Sequence, residues 1–229
     1  MYESTFVVSE NSHSVMLSPV GLPTSNGFNV GYSTFSPNMP SQYGNTVYVW
    51  QTTLNTVPWG REPDGVIAVN SDRARSALNV EFCFEDQGYI IGYAVAPTPN
   101  AIVATMHIPR GTQQDLMSYA YSSLSIGHVA VGPGLAQVVS RGLAEYNPHA
   151  NKNWIAIFNG DAVPYEGSAL QNGCALVTSE VSNNAQSVED IALLINTPYV
   201  AGYFMVDCET GRHSLAAQFP FSIQLAEQA

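Results

Sequence analysis

Asn153-Trp154-Ile155-Ala156-Ile157-Phe158-Asn159-Gly160-Asp161-Ala162-Val163-Pro164-Tyr165 is written twice in this chain. Stepping back 108 positions puts Asn45 over Asn153 and Val47-Tyr48-Val49-Trp50 over Ile155-Ala156-Ile157-Phe158. Each run leads to a Val-Pro-aromatic turn, Val57-Pro58-Trp59 in one copy and Val163-Pro164-Tyr165 in the other. At the same shift Gly65–Val69 overlies Gly173–Val177. At 110, Gly88–Tyr93 overlies Pro198–Tyr203, and at 113, Val103–Ile108 overlies Ala216–Phe221. A shift that grows only in steps of two or three is what short loop insertions produce. The pattern predicts two tandem, internally duplicated units, residues 1–110 and 124–229, joined by a linker at 111–123.

Both copies read as β-structure. Thr46–Thr53 is rich in β-branched and aromatic residues, the types that suit a pleated, half-buried surface. Short strands are expected at Thr5–Ser9, His13–Leu17, Phe28–Phe35, Val66–Asn70, Ala77–Phe84, Tyr89–Val95 and Ala101–Ile108, with proline and glycine turns between them. The second copy repeats the plan at His128–Val131, Gln137–Glu145, Trp154–Phe158, Ala175–Ser179, Ile191–Ile195, Tyr199–Val206 and Leu215–Gln224. Ile191–Ile195 is a continuous apolar run and is expected to be a strand covered on both faces. Gln113–Tyr119 has room for one short helical turn. No stretch of ten residues carries a 3.6-residue period, so the chain is all-β. About seven strands per unit at eight-to-twelve-residue spacing is the pattern of an immunoglobulin-like, fibronectin III-like sandwich.

Composition narrows the function classes. The chain has 229 residues, of which 45% are hydrophobic and only 11% charged, and its net charge is −11. Lys152 is the single lysine. Nucleic-acid backbones require several cations on one face, which excludes nucleic acid as a main partner. An anionic membrane surface is repelled for the same reason, and no apolar run reaches the ~18 residues of a spanning helix, so no membrane insertion is expected. The first twenty residues lack the basic start and apolar segment of a signal peptide. The compartment stays open between cytoplasmic and a secretion route without a visible signal. Cys83, Cys174 and Cys208 have no C-x-x-C spacing and are expected as buried thiols, with a Cys174–Cys208 bond left open.

The order polar residue, Trp154-Ile155-x-Ile157-Phe158, turn, Pro164, aromatic, followed by Tyr199-Val200-x-Gly202-Tyr203-Phe204 and Phe219-x-Phe221, resembles the SKICH-type immunoglobulin fold. It is similar also to the fibronectin-like N-terminal domains of purple acid phosphatases. The first copy keeps the outline at Val47, Val49, Trp50, Pro58, Tyr89, Gly92 and Tyr93 but lacks the closing Phe-x-Phe. The resemblance covers about half of each unit, mostly at core positions, and implies a non-catalytic recognition module.

Residues that carry chemistry are sparse. His13, His107, His128, His149 and His213 have neither H-x-x-x-H nor H-x-H spacing, so no metal ligand set is read. Gly-x-Ser-x-Gly is missing, which removes the hydrolase elbow. No catalytic residue, metal or cofactor is assigned, and an enzyme working in an inter-domain cleft is the least favoured class. The ligand-binding candidates sit in matching loops: Trp59, Arg61, Glu62 and Asp64 in the first copy, Tyr165 and Glu166 in the second. An aromatic ring stacks on the apolar face of a sugar or peptide while carboxylate and guanidinium groups bond its polar atoms. The competing reading is that Trp59 and Tyr165 plug the ends of their units. Trp50 and Trp154 are expected in the cores, and Gly92 and Gly202 at bulges or close backbone approaches. These readings point to a lectin-like protein that binds glycan or protein. Self-assembly as a structural, inclusion or toxin component, with homo-oligomers, is the alternative.

Overall fold

The computed structural model describes residues 5–9, 12–36, 38–164, 171–206 and 213–225. It is all-β, built of several antiparallel sheets, with short 3-10 turns at Pro99–Ala101 and Leu116–Ser118 among the described residues. The second of these falls inside the short helical turn expected over Gln113–Tyr119.

The chain divides into two compact units. The amino-proximal unit comprises Ser14–Leu124 with Gly142–Tyr146; the carboxy-proximal unit comprises Met1–His13, Ser125–Arg141 and Asn147–Ala229. The chain order opens with β1 (Thr5–Ser9), β2 (His13–Ser14), β3 (Met16–Pro19), β4 (Phe28–Ser33), β5 (Thr46–Gln51) and β6 (Gly65–Ala68). Next come β7 (Arg75–Val80), β8 (Tyr89–Ala94), β9 (Ile102–Ile108) and β10 (Ala120–Ser123). The remainder is β11 (Ser125–Gly132), β12 (Leu135–Arg141), β13 (Trp154–Asn159), β14 (Gln171–Leu176), β15 (Asn183–Glu189), β16 (Pro198–Phe204) and β17 (Leu215–Leu225).

The amino-proximal unit has a sheet ordered β10-β9-β8-β5-β6 and a second ordered β3-β4-β7. The carboxy-proximal unit has a sheet ordered β1-β17-β16-β13-β14, with β2 also on β17, and a second ordered β11-β12-β15. Strand for strand the two orders match, and so do the registers. Phe28↔Val80 recurs as Ala136↔Val188, both partners moved on by 108. Thr46↔Ala68 recurs as Trp154↔Leu176 at the same shift. The bulge between Tyr93 and Ala94, opposite Ala104 and Ile102, recurs between Tyr203 and Phe204, opposite Ala217 and Leu215.

One position is filled differently. In the amino-proximal unit the strand beyond β9 is β10, the next along the chain. In the carboxy-proximal unit the matching place beside β17 belongs to β1, from the other end of the chain, with Thr5 opposite Leu225 and Ser9 opposite Phe221. Each of these strands therefore stands just ahead of one unit's first strand and completes the five-strand path of the other unit.

Within the amino-proximal unit the two sheets meet across aromatic contacts. Tyr32 of β4 stacks on Tyr93 of β8, with ring centroids 5.2 Å apart. Phe28 meets Phe84 edge-on at 5.8 Å, and Phe84 meets Tyr89 at 4.9 Å. Trp50 and Trp154 are buried as expected; the latter stacks on Phe204 at 4.0 Å. Each such pair contributes ~0.5–1.5 kcal/mol beyond its buried area. A Cβ on Gly92 would lie 2.9 Å from Ile102 Cδ1, and one on Gly202 2.9 Å from both Phe204 Cε2 and Val163 Cγ2. These are the close approaches that glycine inside a strand implies.

A buried asparagine stands just before the signature strand in each unit. Asn45 Oδ1 accepts from the Tyr93 hydroxyl (2.8 Å) and from Asn38 Nδ2 (3.2 Å), while Asn45 Nδ2 donates to the Val95 carbonyl (3.1 Å). Asn153 Nδ2 donates to the Tyr203 hydroxyl (3.2 Å) and to Met205 Sδ (3.5 Å). Burial pushes the Tyr203 hydroxyl up to about 12, against the opposing effect of the Asn153 bond. The backbone around the pair repeats too: Asn45 O accepts from Val69 N, and Asn153 O from Val177 N.

Two expectations need correcting. Ile191–Ile195 is not a strand; the last strand of that sheet is the polar Asn183–Glu189, which pairs with β12 along its whole length. Of the apolar run only Ile191 is buried, while Leu194 and Ile195 are exposed. Alternation on an edge strand with one wet face outweighed a short run of apolar residues. Cys83 and Cys174 are exposed instead of buried, and Cys208 lies outside the described residues.

Candidate functional site

The loop from Val57 to Asp64 leaves β5 and returns as β6, and its own side chains shape it. Trp59 N donates to Val57 O (2.9 Å), Arg61 N to Pro58 O (3.0 Å) and Asp64 N to Val49 O (2.8 Å). From below, the buried Trp50 indole donates to Arg61 O at 3.1 Å. The Arg61 guanidinium bonds Gln51 O (3.1 Å) and pairs with Asp64 Oδ2 (2.5 Å). The same carboxylate oxygen closes the turn: Gln51 N donates to Asp64 Oδ2 at 2.8 Å. Arg61 and Asp64 thus form one exposed, mutually oriented pair, with Glu62 exposed between them. An ion pair this open is worth ~0–1 kcal/mol to stability; its consequence is a fixed hydrogen-bonding edge.

Trp59 is half-buried. Its indole N–H donates to Ala144 O (2.9 Å), and its ring lies 4.9 Å from that of Tyr146. Tyr146 is buried, and its hydroxyl donates to Asn100 O at 2.7 Å. Trp59 therefore secures the Gly142–Tyr146 segment inside the amino-proximal unit, and one side of its ring is committed to that contact. Sequence reading missed this segment, because the partner stands 85 residues away and carries no motif. Tyr165 and Glu166, the counterpart candidates, lie outside the described residues.

Among the described residues, no three His, Cys, Asp or Glu side chains gather into a cluster that could hold a metal ion. His107 sits half-buried on β9, where burial lowers its pKa below the usual histidine value.

Two cavities open on the amino-proximal unit. One, of about 400 Å³, runs over the face of β3-β4-β7 beside Met16, Val20, Gly31 and Arg75. The other, of about 330 Å³, lies between β6 and β7 and is lined by Tyr32, Val69, Asn70, Ser71, Asn79 and Glu81, among others. Neither was visible in the sequence, since each needs strands brought together from separated segments.

No protein-family model matches this sequence, and no curated protein matches it either.

Proposed function

We propose that the chain is an internal duplication of an immunoglobulin-like sandwich, of the kind the SKICH-type resemblance implies, and that it works as a non-enzymatic recognition protein for glycan or protein ligands. Matching strand orders, the shared 108-residue register shift and the repeated bulge support the duplication. The carrying observation for function is the Val57–Asp64 loop. Its backbone is bonded at both ends, it holds Arg61 and Asp64 in a fixed arrangement, and it also carries the exposed Glu62 and the half-buried Trp59. A loop already held in shape avoids the ordering cost that weakens flexible binders. The recurrence in sequence of the Val-Pro-aromatic turn, at Val57-Pro58-Trp59 and Val163-Pro164-Tyr165, also suits weak paired sites that gain by avidity.

A glycan array, followed by titration of the best ligand, tests this reading. Trp59→Ala is expected to weaken binding by roughly 30-fold, the ~2 kcal/mol of an aromatic anchor. Because Trp59 also holds Ala144, Glu62→Ala serves as a surface-only companion, with a loss of about fivefold. Wild-type affinity in both variants would remove the loop from the site.

Self-assembly is the second reading. Among the described residues, the edge strands β6 and β14 each pair with a single neighbour, and they expose Val66 (61%) and Leu176 (53%). Unpaired apolar edges invite strand pairing between molecules. Sedimentation that is independent of concentration would dismiss it.

A further inference from the structure

We infer that the cavity between β6 and β7 is a second binding site, for one neutral sugar ring, independent of the Val57–Asp64 loop. Its volume of about 330 Å³ falls at the small end of ligand pockets (~300–1,000 Å³). Ile67, Val69 and Leu78 give it an apolar wall, and Asn70, Ser71, Asn79 and Glu81 a hydrogen-bonding rim. None of the lining residues is cationic, and Glu81 in the rim with Asp72 close by disfavours an anion. An apolar wall with a ring of uncharged donors and acceptors fits the C–H face and hydroxyls of a pyranose.

The second observation is the Tyr32 hydroxyl. Tyr32 is 3% exposed and lines the cavity, and its hydroxyl has no hydrogen-bond partner. Burial raises its pKa, and the nearby Ser71 and Ser76 hydroxyls lower it as hydrogen-bonding neighbours, though neither completes a bond of normal geometry. Buried hydroxyls are nearly always bonded, and leaving one unpaired is costly. A phenylalanine would keep the stack on Tyr93 without that cost. The hydroxyl makes physical sense as a group waiting for a ligand atom.

The other unit is built differently at the corresponding place. At the 108 shift, Leu78 corresponds to Gln186, Asn70 to Thr178 and Tyr32 to Ser140, whose buried hydroxyl is likewise without a hydrogen-bond partner. There Gln186 Oε1 accepts from Thr178 N (3.1 Å) and from its hydroxyl (3.2 Å), linking the two segments by a side chain. In the amino-proximal unit Leu78 cannot make that bridge.

Methyl glycosides of glucose, galactose, mannose and N-acetylglucosamine, titrated into the full chain by two-dimensional NMR, test the assignment. At least one is expected to saturate in the low-millimolar range, moving the amides of Asn70, Ser71 and Asn79. Tyr32→Phe is expected to weaken it roughly tenfold while its thermal midpoint, without sugar, is no lower than wild type. Leu78→Gln should close the cavity and abolish binding, whereas Trp59→Ala should leave binding at this cavity intact. The inference is overturned if no glycoside saturates, if the shifts fall elsewhere, or if Tyr32→Phe binds as wild type. A Tyr32→Phe protein that melts earlier would show the hydroxyl to be structural and overturn it too.

Discussion

Asn45→Ala is expected to lower the unfolding free energy by roughly 3–5 kcal/mol, the largest effect of any single polar substitution in the amino-proximal unit. The side chain is fully buried and serves three partners: the Tyr93 hydroxyl, Asn38 Nδ2 and the Val95 carbonyl. Alanine satisfies none of them. Asn38 Nδ2 keeps its bond to Thr34 Oγ1 (3.0 Å), but the Tyr93 hydroxyl and the Val95 carbonyl lose their Asn45 bonds inside the core. Each buried group stripped of its bond costs ~1–3 kcal/mol, and the small void left behind adds to that. Tyr93→Phe separates the contributions. It removes one donor and leaves Asn45 Oδ1 bonded to Asn38, so a loss of about 1 kcal/mol is expected. Urea unfolding followed by tryptophan fluorescence reads both variants: the midpoint should fall with the slope unchanged. An Asn45→Ala loss no greater than that of Tyr93→Phe would mean that the asparagine does not organise this end of the core.

The asparagine also shows how much of the fold the residues disclosed in advance. Asn45 over Asn153 was visible as a repeated letter, and so were the shifts of 108, 110 and 113, which the strand registers then reproduce. Those strands were legible because β5, β8, β13 and β16 are buried along nearly their whole length, and burial on both faces leaves dense β-branched and aromatic runs. The polar edge strand β15 was not, since its Asn, Gln and Ser residues read as loop until a partner strand is known. At the candidate site the sequence places Arg61 and Asp64 in one turn, three positions apart, while their ion pair is seen only in the structure. The commitment of Trp59 to Ala144 and Tyr146 was not, and neither was the Tyr32 cavity. Both depend on segments far apart in the chain. Local chemistry survives in one dimension; a surface assembled from distant strands does not.

The same limit hid the placement of β1, and the second large effect follows from it. Deleting Met1–Ser14 is expected to make the protein associate more strongly than the full chain does. Thr5–Ser9 is read from sequence as the start of the first repeat, yet it pairs with Phe221–Leu225 at the far end of the chain. Five paired residues amount to about five ladder bonds at ~0.5–1.5 kcal/mol net each. Their loss removes roughly 3–7 kcal/mol from a domain whose whole stability is about 5–15 kcal/mol. The larger consequence is the surface uncovered. β17 is the longest strand, and it carries Phe219, Phe221 and Ile223. Without β1 it becomes a long apolar edge with unpaired backbone groups, the kind that templates pairing between molecules. Sedimentation velocity of the truncated chain should show oligomers growing with concentration. A synthetic Met1–Ser14 peptide supplied in trans should suppress them by adding back the missing strand. The same peptide with proline at Val7 is expected to rescue poorly, because proline cannot donate to a ladder. A truncated chain that sediments and unfolds like the full one would show that β1 decorates the sheet without completing it. The reciprocal exchange of leading strands between the two units would then carry no weight in holding the fold.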